Sequence, residues 1–179
     1  MRVKGWIWLA MIGVVAVILI VAYNVWTPWA LVKSDDRQIT YSPDQELRTM
    51  IASETKNMTG EEILEYSIKK TANSLTFTAE NDVTHGKANC VGYAQMCAGI
   101  SNYAFQVNGL DSKAKPVVGF VMFYQVNLCD VLKGCMPNKR WENFVKDHDF
   151  VEYHINGSII YADASLYDLI GTDCKTSPM

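Results

Sequence analysis

Asn156-Gly157 stands between two runs rich in β-branched and aromatic residues, Asp147–Ile155 and Ser158–Ser165. Asn-Gly is the favoured pair for a two-residue type I′ turn, because both central positions need positive φ. The turn therefore predicts a hairpin and sets its register. Ile155 pairs with Ser158, and paired residue numbers then always sum to 313. Side chains alternate faces along each strand, so His148, Phe150 and Asp163 share one face. Asp163 becomes the diagonal neighbour of His148, with Cα atoms about 7–8 Å apart, within reach of a carboxylate–imidazole hydrogen bond. Asp147 and Asp149 point to the opposite face and Asp168 lies beyond the paired region. Among the nearby acids, the register selects Asp163 as the one able to orient His148.

A second constraint lies upstream. A polar, turn-prone run from Asn81 to Asn89 ends at Cys90, where a helix of small residues begins and runs to Val107 before the stop signal Asn108-Gly109. A thiol in the first helical turn faces unpaired N–H groups and the positive end of the helix dipole. Both favour thiolate, the nucleophilic form. Cys90 is thus the candidate nucleophile, His148 the candidate base and Asp163 the acid that would hold the imidazole in its working tautomer. Cys90, Ala94, Cys97, Ala98 and Ser101 recur at spacings of three and four, which lets the helix lie close against a sheet. Cys97, two turns on, reads as a small buried hydrophobe. His85 reads as a solvated loop residue or an assistant to the site, and Lys87 as a charge biasing Cys90 or a solvated side chain.

The remaining elements follow from local signals. Ser42-Pro43-Asp44-Gln45 predicts a helix start with Ser as N-cap and Pro at the first position. Thr59-Gly60-Glu61-Glu62 predicts another in capping-box register, with Leu64, Ile68, Thr71/Ala72 and Leu75 as its apolar stripe. Pro116–Tyr124 is apolar on both parities and predicts a central strand covered on both faces. Helices followed by antiparallel strands make the fold class α+β, with the nucleophile's helix packed on an antiparallel sheet.

Composition bears mainly on the N-terminus. Trp6–Tyr23 holds no charge over 18 residues and follows Arg2 and Lys4. That length just suffices for one transmembrane helix, and the flanking charges favour a cytoplasmic N-terminus. Two readings exist, an uncleaved signal anchor and a cleaved signal peptide; Tyr23–Trp29 offers no good cleavage site, which favours the anchor. The expected organisation is a cytoplasmic tip at 1–5, a span at 6–23, a juxtamembrane linker at 24–41, a catalytic domain at 42–171 and a flexible tail at 172–179, with the domain outside the cytoplasmic membrane.

Three of the 16 basic residues precede position 34, leaving 13 against 19 acidic ones. Such a balance argues against binding nucleic acid. The five cysteines form no CxxC and the three histidines stand at no zinc spacing, so neither metal nor cofactor is expected. Cys129 and Cys135 enclose five residues including Gly134. They read as a small disulfide loop or as two reduced thiols; an oxidising compartment favours the former.

Three segments together resemble the transglutaminase-like branch of the papain-type cysteine enzymes. Asn89-Cys90-Val91-Gly92-Tyr93-Ala94 is similar to that family's nucleophile segment, and His148-Asp149-Phe150-Val151-Glu152 to its His-x-aromatic-x-Glu strand. Tyr161-Ala162-Asp163-Ala164-Ser165 resembles its Asp-Pro-Thr segment. Asp149 replaces the usual small residue, and Ala164-Ser165 replaces Pro-Thr. The resemblance implies a papain/transglutaminase-like core and a Cys90–His148–Asp163 triad acting on a protein or peptide carboxamide through a thioester. The expected function is accordingly an extracytoplasmic amide-processing enzyme, by acyl transfer or hydrolysis. The alternative is an inactive binding or assembly module on the same fold. The second oxyanion donor, which papain-type enzymes take from an upstream Gln, Trp or Tyr, has no clear equivalent. No acidic loop at calcium-ligand spacing occurs, although animal transglutaminases use calcium.

Overall fold

A computed structural model of the chain describes Gly13 and residues 29–123, 126–127, 147–171 and 175–177. The run Trp6–Tyr23 apart from Gly13, the pair Cys129 and Cys135, and Cys174 with most of the expected tail lie outside the described residues.

The chain is α+β, with helices packed on a curled antiparallel sheet. In order come strand β1 (Trp29–Asp36), helices α1 (Gln45–Glu54) and α2 (Gly60–Ser74), short strands β2 (Thr76–Phe77) and β3 (Lys87–Ala88), and helix α3 (Cys90–Val107). Strands β4 (Lys113–Phe123), β5 (Val126–Asn127), β6 (His148–Ile155) and β7 (Ser158–Ala162) follow, then helix α4 (Ala164–Ile170) and strand β8 (Lys175–Thr176). The main sheet runs β1-β4-β6-β7-β8, with β5 also on β4, and every pairing in it is antiparallel. It curls until its two ends meet, where Leu31 N–H donates to Thr176 Oγ1 at 3.4 Å. The short pair β2–β3 is parallel and separate.

The curl divides the apolar interior in two. Leu31, Val117, Val121, Phe150, Tyr161 and Leu166 pack within the curl. The other face carries Val151, Tyr153 and Ile155 against α2 and α3, and this is the main core. Helix α3 lies at its centre, so almost every side of it is buried, as an apolar circumference requires. The small residues Ala94, Cys97, Ala98 and Ser101 are all buried along it.

Local signals act where they are strongest. Asn156 and Gly157 have φ of 52° and 78°, as a type I′ turn demands. The pairs run from Ile155 with Ser158 to Val151 with Ala162 at the expected sum. Thr59 and Glu62 form a reciprocal capping box on α2. Helix α1 begins later than Ser42 predicts. Asp44 is its N-cap and accepts from Leu47 N–H, while Ser42 Oγ accepts from Arg48 instead.

Two expectations are corrected. Residues 29–36, read as part of a juxtamembrane linker, form a full strand of the sheet on β4. Gly119 allows that approach, since a Cβ there would stand 2.0 Å from Val32 O. The membrane location is also corrected. Among the described residues no helix is long and apolar enough to cross a membrane, so a single-pass protein with an external domain is not supported. The longest described helix, α3, carries Gln95, Ser101, Asn102 and Gln106 and is enclosed by the core.

Candidate active site

Cys90 is the first residue of α3, and its capping fixes which backbone donors remain available. Asn89 Oδ1 accepts from the N–H groups of Val91 (3.0 Å) and Gly92 (3.4 Å). Tyr93 N–H donates to Asn89 O. Among the described residues no hydrogen bond occupies the Cys90 N–H, which stands in the first turn of α3.

His148 opens β6, flanked through backbone pairing by Gly119 of β4. Its Nε2 hydrogen-bonds Asp163 Oδ2. The Cys90 thiol lies near enough to the ring to help raise its pKa, and with Nε2 on Asp163 the ring nitrogen left over is Nδ1. The structure thus brings Cys90, His148 and Asp163 together. The imidazole is only 16% exposed and the Asp163 carboxylate 1%. Burial disfavours charge on the ring, yet the Asp163 carboxylate and the Cys90 sulfur outweigh it and raise the His148 pKa well above its ordinary value. Burial likewise works against the Asp163 carboxylate, but His148, Ser165 and the Leu166 N–H hold its pKa below the usual range.

Asp163 reaches this position by ending β7 and starting α4. Its Oδ1 accepts from Ser165 N–H (2.9 Å), Leu166 N–H (3.1 Å) and Ser165 Oγ (2.7 Å), while Oδ2 is left for the imidazole. The expected strand to Ser165 therefore stops at Ala162. An Asp three residues before an apolar helical stretch is an N-cap signal that the sequence does contain. Ser165 fastens the Asp163 carboxylate through its own hydroxyl as well as its N–H.

Among the described residues, the other thiol and the other two histidines have partners of their own. Cys97 is fully buried and burial pushes its pKa up to about 12, with Tyr153 OH 3.1 Å from the sulfur. His85 is largely solvated and pairs with Asp82, away from the triad. His154 pairs with Glu152, which is buried and bound by Lys33 at 2.8 Å.

Several residues near the site escape sequence reasoning. Arg37 binds the buried Asp149 through Nε (2.8 Å) and Nη2 (3.1 Å). Gln95 ties the same segment to α3, with Oε1 accepting from Thr40 N–H and Nε2 donating to Gln38 O. Tyr93 OH donates to Asp168 at 2.7 Å, joining α3 to α4. No local pattern announces these contacts, because each partner lies more than fifty residues away. Two surface depressions, of about 250 and 510 Å³, are lined by residues of α2, β7 and β8 and by residues around Met58 and Val107, and neither contains a triad residue. Among the described residues no group of three metal-ligating side chains converges.

No protein-family model matches the chain, and no curated protein or solved structure matches it.

Proposed function

We propose that the protein is a cysteine-dependent amide-processing enzyme of transglutaminase-like type, with Cys90 as nucleophile, His148 as general acid–base and Asp163 as the orienting carboxylate. The observation that carries this reading is the imidazole held between the Cys90 thiol and the Asp163 carboxylate. The papain/transglutaminase-like character of the core belongs to the same proposal. It is supported by the nucleophile's helix lying against the sheet whose hairpin supplies the histidine.

In the reaction, His148 takes the thiol proton and the sulfur attacks the carboxamide carbon of a protein or peptide. The Cys90 N–H stabilises the oxyanion of the tetrahedral intermediate. Collapse breaks the C–N bond, His148 protonates the departing nitrogen, and a thioester remains. Water or an amine then attacks the thioester, with His148 accepting its proton, to give an acid or a new amide and the free thiol.

The test is ammonia release from glutaminyl peptides, measured beside iodoacetamide labelling mapped by mass spectrometry. Wild-type protein is expected to release ammonia and to be alkylated at Cys90 but not at Cys97. Cys90→Ala should lose both while keeping its circular dichroism and thermal transition. Alkylation of Cys90 no faster than a free cysteine, without ammonia release, refutes the catalytic reading and favours a binding module.

A further inference from the structure

We infer that Arg37 forms an anion-binding subsite beside Cys90, so that the amide substrate carries a carboxylate close to the bond that is cleaved. The inference rests on the proposed function above and names the substrate class for that site.

The chain between β1 and α1 crosses from the strand of His148 to the helix of Cys90. At one end Arg37 N–H donates to Pro116 O of β4, and its guanidinium is bidentate to Asp149, the residue after His148. At the other end Gln38 and Thr40 are bound to Gln95, five residues beyond Cys90. Arg37 is therefore fixed between the two catalytic elements. The Cys90 sulfur lies close enough to act on the guanidinium electrostatically, together with Asp149 and Asp147.

A guanidinium has two donor edges suited to planar carboxylates. Asp149 occupies the edge formed by Nε and Nη2. Among the described residues Nη1 has no hydrogen-bond partner. The two side chains differ in setting, Arg37 being 41% exposed and Asp149 1%. One edge thus anchors the arginine to the protein while the other is left without a protein partner on a side chain open to solvent. A buried carboxylate needs a cation, but a shorter or deeper one would serve that need without presenting a free edge. Asp147 is exposed, and water and salt screen its opposing charge. A substrate carboxylate would meet Nη1 as the scissile carbon meets the sulfur.

Alkylation of Cys90 by iodoacetate and by iodoacetamide tests this directly, because the two reagents differ by one carboxylate beside the reacting carbon. The readout is the ratio of their second-order rate constants at constant pH and ionic strength. The cation of His148 also favours iodoacetate in every variant, so the change in ratio between variants, rather than its absolute value, reads Arg37. Arg37→Gln strands the buried Asp149 charge, so the double variant Arg37→Gln/Asp149→Asn is made alongside it. The double change removes a cation and an anion together and leaves net charge unaltered. The iodoacetate preference is expected to fall about two- to three-fold in the double variant, because the guanidinium acts through solvent and loss of the Asp149 charge offsets part of its field. Arg37→Lys should retain part of the preference. An unchanged ratio with Cys90 still reactive to iodoacetamide overturns the subsite and leaves the catalytic proposal standing. If neither reagent alkylates wild-type Cys90, both the subsite and the catalytic proposal are overturned.

Discussion

Replacing Asp163 with Asn separates the electrostatic role of this carboxylate from its structural one. Asn caps helices as well as Asp does, so α4 keeps acceptors for the Ser165 and Leu166 N–H groups. The negative charge facing His148 Nε2 is lost, and the ring must become neutral with the wrong tautomer or bear its charge without a partner. Amidase activity should fall about 10²- to 10⁴-fold.

Stability then provides a second measurement. His148 has a folded-state pKa raised above its unfolded value near 6.5. Its contribution is complete below about pH 6.5 and is lost as pH rises through the folded value. Within that window the folded state holds one more proton than the unfolded state, so stability falls by about 1.4 kcal/mol per pH unit. With Asp163→Asn, burial alone governs the ring and depresses its pKa, and this falling slope should vanish. Both proteins are best compared in a Cys90→Ala background, which removes the thiol's own effect on the ring. Urea unfolding at half-unit steps from pH 6 to 8.5 gives the difference curve, in which the titrations common to both cancel. A difference that stays constant across this range would refute the claim that Asp163 holds His148 charged.

Two further outcomes test the scaffold. Gly119→Ala forces β1 away from β4 beside His148, since the new Cβ meets Val32 O at 2.0 Å; a loss of about 3 kcal/mol in urea unfolding is expected, and a change below about 0.5 kcal/mol would show that β1 is not seated there. Lys33→Met leaves the buried Glu152 carboxylate without its lysine partner, at about 1–3 kcal/mol near neutral pH. Burial opposes the Glu152 charge, but Lys33 and His154 hold its pKa down, so its contribution exists above the unfolded value near 4.3 and is lost as pH falls through the folded value. The cost of Lys33→Met should therefore shrink in acid, and Lys33→Met/Glu152→Gln should recover stability at pH 7; a pH-independent cost would reject the ion pair as its origin.

What the sequence determined by itself is local. Asn156-Gly157 set the hairpin because positive φ at two adjacent positions admits few residues, and every pair up to Val151 with Ala162 follows from that turn. Thr59 and Glu62 set the start of α2, and Asn89 and Asn108 bracket α3, because caps satisfy backbone groups within a few residues. These signals were enough to place Cys90 at a helix start and Asp163 within reach of His148. The tertiary structure decided the rest. Trp29–Asp36 shows little strand alternation and ends in two acids, and it becomes β1 only because β4 and the bare Cα of Gly119 receive it. That strand delivers Arg37 to Asp149 and Lys33 to Glu152, across 112 and 119 residues. Such pairs depend on the curl of the whole sheet, which no short-range pattern encodes.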